Sequence, residues 1–92
     1  MKTKSYTFHS DAGHGWLAVK RNDLIVLGLI GRISHYSYEK GDTVYLEEDC
    51  DLSLFDIAYQ NLYNVEPKIK HGKHYDNSHP IRSYKSFTLK NN

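Results

Sequence analysis

The stretch Asp51-Leu52-Ser53-Leu54-Phe55-Asp56-Ile57-Ala58-Tyr59-Gln60-Asn61-Leu62-Tyr63 decides the fold. Leu54, Phe55, Ala58 and Leu62 recur at helical spacing and mark one apolar face. Asp51 can cap the N-terminus, Asn64 can end the helix, and Pro67 prevents its continuation. A main helix over 51–63 needs a sheet to cover that face. Trp16, Val44 and Leu46 are expected beneath it, on strands supplied by the flanking sequence.

Working outward, Thr43–Leu46 alternates as a strand does, and so does Ile33–Tyr38. Between them Glu39-Lys40-Gly41-Asp42 is a hairpin turn, with Gly41 supplying the positive φ. Further back, Leu24–Leu27 predicts a short helix, capped by Asn22 or Asp23 and stopped by Gly28. Ser5–His9 and Trp16–Val19 read as strands joined by the turn-rich Ser10-Asp11-Ala12-Gly13-His14-Gly15. On the other side, Lys68–Lys70 and Ile81–Phe87 predict two weaker strands around a histidine-bearing loop, and Asn91 and Asn92 are expected to fray. The fold class is α+β: a mostly antiparallel sheet, the 51–63 helix packed on one face, and a short second helix.

Size and composition exclude much. The 92 residues form one domain, 1–92, with room for a single core and for no separate substrate or cofactor domain. Apolar residues at 39% and charged residues at 25% suit a globular protein. No apolar run approaches the ~20 residues of a membrane span, and no hydrophobic region follows the basic Met1-Lys2-Thr3-Lys4, so neither membrane insertion nor secretion is expected. A single cysteine, Cys50, forms no internal disulfide and fits a reducing cytoplasm. The net charge of +1 conceals an acidic stretch from Glu39 to Asp56 and a basic one beyond Pro67. Opposite poles can neutralise each other in the fold or face separate partners.

Three segments carry candidate chemistry. In Ser10–Trp16, glycines flank His14 and leave its imidazole free to act as a base or a contact. The structural alternative is a glycine turn with Trp16 anchoring the core. In Tyr45–Asp51, four acids crowd five residues. If the strand continues through residue 48, alternation turns Glu48 to the core side with Val44 and Leu46, where a carboxylate requires a partner such as Arg32, Arg82 or a histidine. Cys50, between Asp49 and Asp51, reads as a buried, inert thiol because adjacent carboxylates disfavour the thiolate. Of the six histidines, His71, His74 and His79 match no metal motif, and unbroken strand alternation puts His71 and His74 on opposite faces. No metal, cofactor or catalytic residue is assigned. The candidate binding residues are His14, Trp16, Glu47, Glu48, Asp49 and Arg82.

Gly13-His14-Gly15-Trp16-Leu17-Ala18-Val19 and Tyr45-Leu46-Glu47-Glu48-Asp49-Cys50-Asp51 resemble a family of small uncharacterised phage- and plasmid-encoded proteins. Ile33–Tyr38, Gly41-Asp42-Thr43 and Pro80-Ile81-Arg82-Ser83 extend the likeness over most of the chain. The resemblance implies a mobile-element setting in a bacterial cytoplasm and no established activity. Accessory proteins in that setting often inhibit host defence, including nucleic-acid-guided immunity. The leading expectation is therefore a non-enzymatic interaction protein that binds a host protein or complex, with a homodimer left open. One alternative is a small enzyme joining His14 to Glu47, Glu48 and Asp49 on a phosphate-containing substrate. The other is a single-stranded nucleic-acid binder using Lys68, Lys70, Arg82 and Lys85 with the nearby aromatics.

Overall fold

A computed structural model describes residues 4–89, so the expectation for Asn91 and Asn92 lies outside the described residues. The elements follow in chain order as β1 (Ser5–Asp11), β2 (Gly15–Lys20), α1 (Arg21–Val26), β3 (Tyr38–Lys40), β4 (Thr43–Glu47), α2 (Leu52–Tyr63), β5 (Lys68–Tyr75), a 3₁₀ turn at Pro80–Ser83, and β6 (Lys85–Ser86). They form one six-stranded sheet in the order β5-β1-β2-β4-β3-β6. Every pairing is antiparallel except β1 with β5. The fold is α+β, as the alternation and the helical stripe predict.

α2 covers one face of the sheet. Tyr6, Leu17, Val19, Val44 and Leu46 meet Phe55 and Tyr59 there, and the rings of Tyr6 and Phe55 pack edge-on at 5.1 Å. The helical stripe runs through Phe55 and Tyr59, four residues apart, whereas Leu62 is 51% exposed and Leu54 and Ala58 lie at the margin of the core. Asn64 closes the helix in the left-handed conformation at φ 60°, as expected. Asp51 occupies the N-cap position, but its side chain caps nothing. Its carboxylate accepts instead from the backbone N–H and hydroxyl of Ser34 and from the hydroxyl of Ser37. Segment 33–37 is accordingly a bonded turn leading into β3 rather than the start of a strand.

Neither Asn22 nor Asp23 caps α1; both lie inside it, and Asp23 takes the Lys4 ammonium and the Tyr6 hydroxyl. Gly28 follows the helix with φ +73°, the stop the sequence signals. The β3–β4 turn places Gly41 at φ +59° directly between paired residues Lys40 and Thr43.

Trp16 does not pack under α2. Its neighbours in β2, Leu17 and Val19, take that face, and alternation turns Trp16 to the opposite one. That face is covered too. The C-terminal segment folds across it and buries Trp16 and Ile81 at 1% exposure and His79 at 7%. The expected Ile81–Phe87 strand is divided: its first residues belong to this covering 3₁₀ turn, begun by Pro80 with the His79 imidazole accepting from the Ile81 N–H, and only Lys85–Ser86 pair as a strand. β5 is longer than expected and takes in His71 and His74 of the histidine-bearing loop, leaving His79 outside. A register shift opposite Phe8–Ser10 pairs His71 with Phe8 and His74 with Ser10, which puts the two histidines on one face rather than two.

Candidate functional site

β2 and β4 pair so that Trp16 lies opposite Glu47. The register brings two turns to the same end of the sheet: the β1–β2 turn carrying His14 and the turn after β4 carrying Glu48, Asp49 and Cys50. Asp11 shapes the first turn. Its Oδ1 accepts from the N–H groups of Gly13 and His14, both at 2.9 Å, while its backbone N–H donates to the His14 carbonyl. Oδ2 accepts from the His79 N–H at 2.9 Å, and Arg82 adds a two-pronged contact at 2.6 and 3.0 Å. The Arg82 guanidinium and three backbone donors hold the Asp11 carboxyl far below the usual carboxylate range, against an opposing effect of burial. One buried carboxylate thus locks the His14 turn to the C-terminal cover.

A cleft of about 300 Å³ opens at this corner, lined by His14, Trp16, Tyr36, Tyr38, Glu47, Asp49, Cys50 and Arg82. Its volume sits at the small end of the range for ligand pockets. Trp16 is the buried wall, with Tyr38 at 6.2 Å and the Arg82 guanidinium 5.4 Å from its ring centroid. The Trp16 Nε1–H is buried without a partner among the described residues. Tyr36 stands at the rim, 60% exposed. The Ser34–Ser37 turn presents both tyrosines and is tied to Asp51; the Ser37 hydroxyl also accepts from the Glu47 N–H.

Glu47 is the pivotal acid. It is buried, and its Oε1 accepts from the N–H groups of Asp49 and Cys50 at 2.8 and 3.0 Å. Its Oε2 meets His14 Nδ1 at 3.1 Å. Glu48 is exposed, a correction of the expected core-facing carboxylate with a cationic partner. β4 ends at Glu47, so alternation stops one residue before it could turn Glu48 inward. The buried carboxylates that do hold arginines are Asp11 with Arg82 and Glu39 with Arg21. The latter pair escapes a sequence reading because Glu39 sits in what looks like a solvated turn.

Five of the six candidate residues line the cleft, and Glu48 does not. The sequence reading missed Tyr36 and Tyr38. Only their place beside the hairpin hinted at them, and folding of the Ser34–Ser37 turn onto Asp51 brings them in. Cys50 is exposed rather than buried, since it sits in the turn and not on a strand. Its thiol is nonetheless pushed above its ordinary pKa by desolvation, by its hydrogen bond to Glu47 and by the charges of Glu47, Asp51 and Asp49. That is the direction opposite to an activated nucleophile.

Among the described residues the opposite poles of charge do not meet in direct ion pairs: none links the 39–56 acids to the cations beyond Pro67; Arg82 pairs with Asp11, and Glu47 has only His14. The basic tail is divided as well. Lys68 and Lys70 lie on β5 and Lys85 on β6, the two opposite edges of the sheet, while Phe87 is buried in the core. No helix among the described residues is long and apolar enough to cross a membrane. No protein-family model, curated protein or solved structure matches this chain.

Proposed function

We propose that this chain is a non-enzymatic interaction protein of a phage or plasmid, which binds a host protein complex, such as a defence complex, through the face centred on the cleft. The supporting observation is convergence. Five residues chosen from three separate sequence segments share one corner, where buried Trp16 and exposed Tyr36 adjoin acids with no arginine or lysine partner among the described residues. Aromatic anchors beside unneutralised charge suit a contact surface. The scattered cations lend no comparable support to nucleic-acid binding.

One observation favours a second reading, the small enzyme. A half-exposed imidazole held at 3.1 Å by a buried carboxylate has the form of a general base with its orienting group. With the Cys50 thiol pushed upward, attack in such a reaction falls to water.

One comparison separates the two. A partner captured from host lysate is purified, and its binding and the biological effect are measured for Glu48→Lys/Asp49→Lys and for His14→Ala. An interaction protein loses association rate with the reversed charges, by about tenfold or more, without unfolding. Its His14→Ala variant loses affinity in a graded way. Full binding by His14→Ala with complete loss of biological effect makes the protein an enzyme instead.

A further inference from the structure

We propose that His14, Glu47 and Asp49 bind a divalent transition-metal ion, zinc in the first instance, at the mouth of the cleft. One ligating atom of each residue lies within 4.8 Å of the others. His14 Nδ1 and Glu47 Oε2, at 3.1 Å, already stand near the spacing of about 3.4 Å between two ligands of a tetrahedral zinc with bonds of ~2.1 Å. Asp49 is exposed, so its side chain can swing inward without disturbing packed neighbours.

Charge supplies an independent argument. Glu47 is only 6% exposed, yet no lysine or arginine pairs with it among the described residues. The one guanidinium in the cleft wall, Arg82, is committed to Asp11. A buried carboxylate without a permanent cation is costly, and its sole counterpart here is an imidazole that carries charge only when protonated. A divalent ion supplies the missing charge without a new residue. The fold also fixes the ligands in advance. Two backbone donors hold Glu47 Oε1 and leave Oε2 toward His14, while Asp11 secures the His14 backbone.

The donor set indicates the kind of ion. One imidazole and two carboxylates suit zinc or manganese better than calcium or magnesium, which prefer oxygen throughout. Three protein ligands also leave a coordination position open to the cleft. The assignment goes beyond the interaction reading. Its test uses the chain alone, so failure of either leaves the other standing.

Tag-free protein is titrated with zinc by calorimetry, with manganese as the second transition metal and magnesium as the hard-cation control. Histidine side-chain ¹⁵N signals are followed in parallel. One equivalent of zinc is expected to bind, shifting the His14 Nδ1 resonance. His14→Ala and Glu47→Gln each weaken binding by about tenfold or more. Asp49→Asn does the same, and because Asp49 is exposed this variant tests the site without threatening the fold. His71→Ala and His74→Ala, both on β5 and outside the cleft, bind as the wild type does. Absence of saturable zinc binding overturns the proposal. So does binding that survives the three ligand substitutions, or that is lost with His71 or His74.

Discussion

Glu47 and Glu48 are identical side chains on adjacent residues, and the end of one strand gives them different physics. Glu47 is buried and its carboxylate accepts from the Asp49 N–H and from the Cys50 N–H, which it shares with its own backbone carbonyl, whereas Glu48 faces water. Glu47→Ala should cost about 1–3 kcal/mol by leaving the Asp49 N–H and His14 without their acceptor, and Glu48→Ala should stay within about 0.5 kcal/mol. Chemical denaturation of both variants checks the contrast; equal midpoints would refute it. Asp11 carries a pH signature. Its pKa is depressed in the fold, so its contribution is complete above the ordinary aspartate value of about 3.9 and is lost as pH falls below it. His79 is shifted down by burial first and by neighbouring His9 next, and His9 by burial. The unfolded chain therefore takes up these protons first, and stability also declines as pH drops below about 6.5. Thermal midpoints from pH 8 to pH 3 should fall in two stages. Asp11→Asn should remove the more acidic stage and, because the Asp11 charge partly offsets the downward shift of His79, leave the histidine stage at least as pronounced.

At the scale of elements, α2 shows how a correct helix can carry a slightly wrong stripe. The buried line is Phe55–Tyr59, continued by the half-buried Tyr63, and Leu62 sits one residue, about 100° of helix turn, off that line. Phe55→Ala should lose about 3–5 kcal/mol, and Leu62→Ala should be nearly neutral. Thermal melts of the two would settle the orientation of the helix, and comparable losses would reverse it. β2 has a tighter constraint. A Cβ at Gly15 would lie 2.1 Å from Phe8 Cζ, so this glycine is needed for close approach rather than for an unusual φ. In β5 an extra residue shifts the register and reverses the faces expected beyond it. Alternation is readable from sequence only until a bulge or a strand end interrupts it.

Across the whole molecule, both faces of the sheet are covered, by α2 on one side and by the C-terminal segment on the other. The second cover is fastened by the Asp11–Arg82 pair and by the His79 N–H. Trp16 is the chain's one tryptophan and lies beneath that cover, so its fluorescence reports on this layer. In Arg82→Ala, Asp11 keeps its backbone donors but loses its cation, and the cover should loosen before α2 melts. Trp16 emission should then shift to the red at lower denaturant than the helical circular dichroism signal. Coincident transitions would mean that the two layers unfold as one unit.

By itself the sequence determined the α+β class, the main helix and the mostly antiparallel sheet, because periodicity, a glycine-led turn and helix-stopping residues act locally. It did not determine the 3₁₀ turn or the turn at 33–37. Gly28, Gly41 and Asn64 perform the backbone tasks their chemistry allows. It also picked out five residues of the cleft, because histidine between glycines and acids in a tight turn are unusual wherever they occur. Tertiary structure alone decided the partners. Asp11 finds Arg82 across 71 residues, Glu47 finds His14 across 33, and Asp51 leaves its cap position for Ser34 and Ser37. The reason is energetic. A buried polar group takes whichever donors the folded chain brings within reach, and that choice depends on strand register and on where each strand ends.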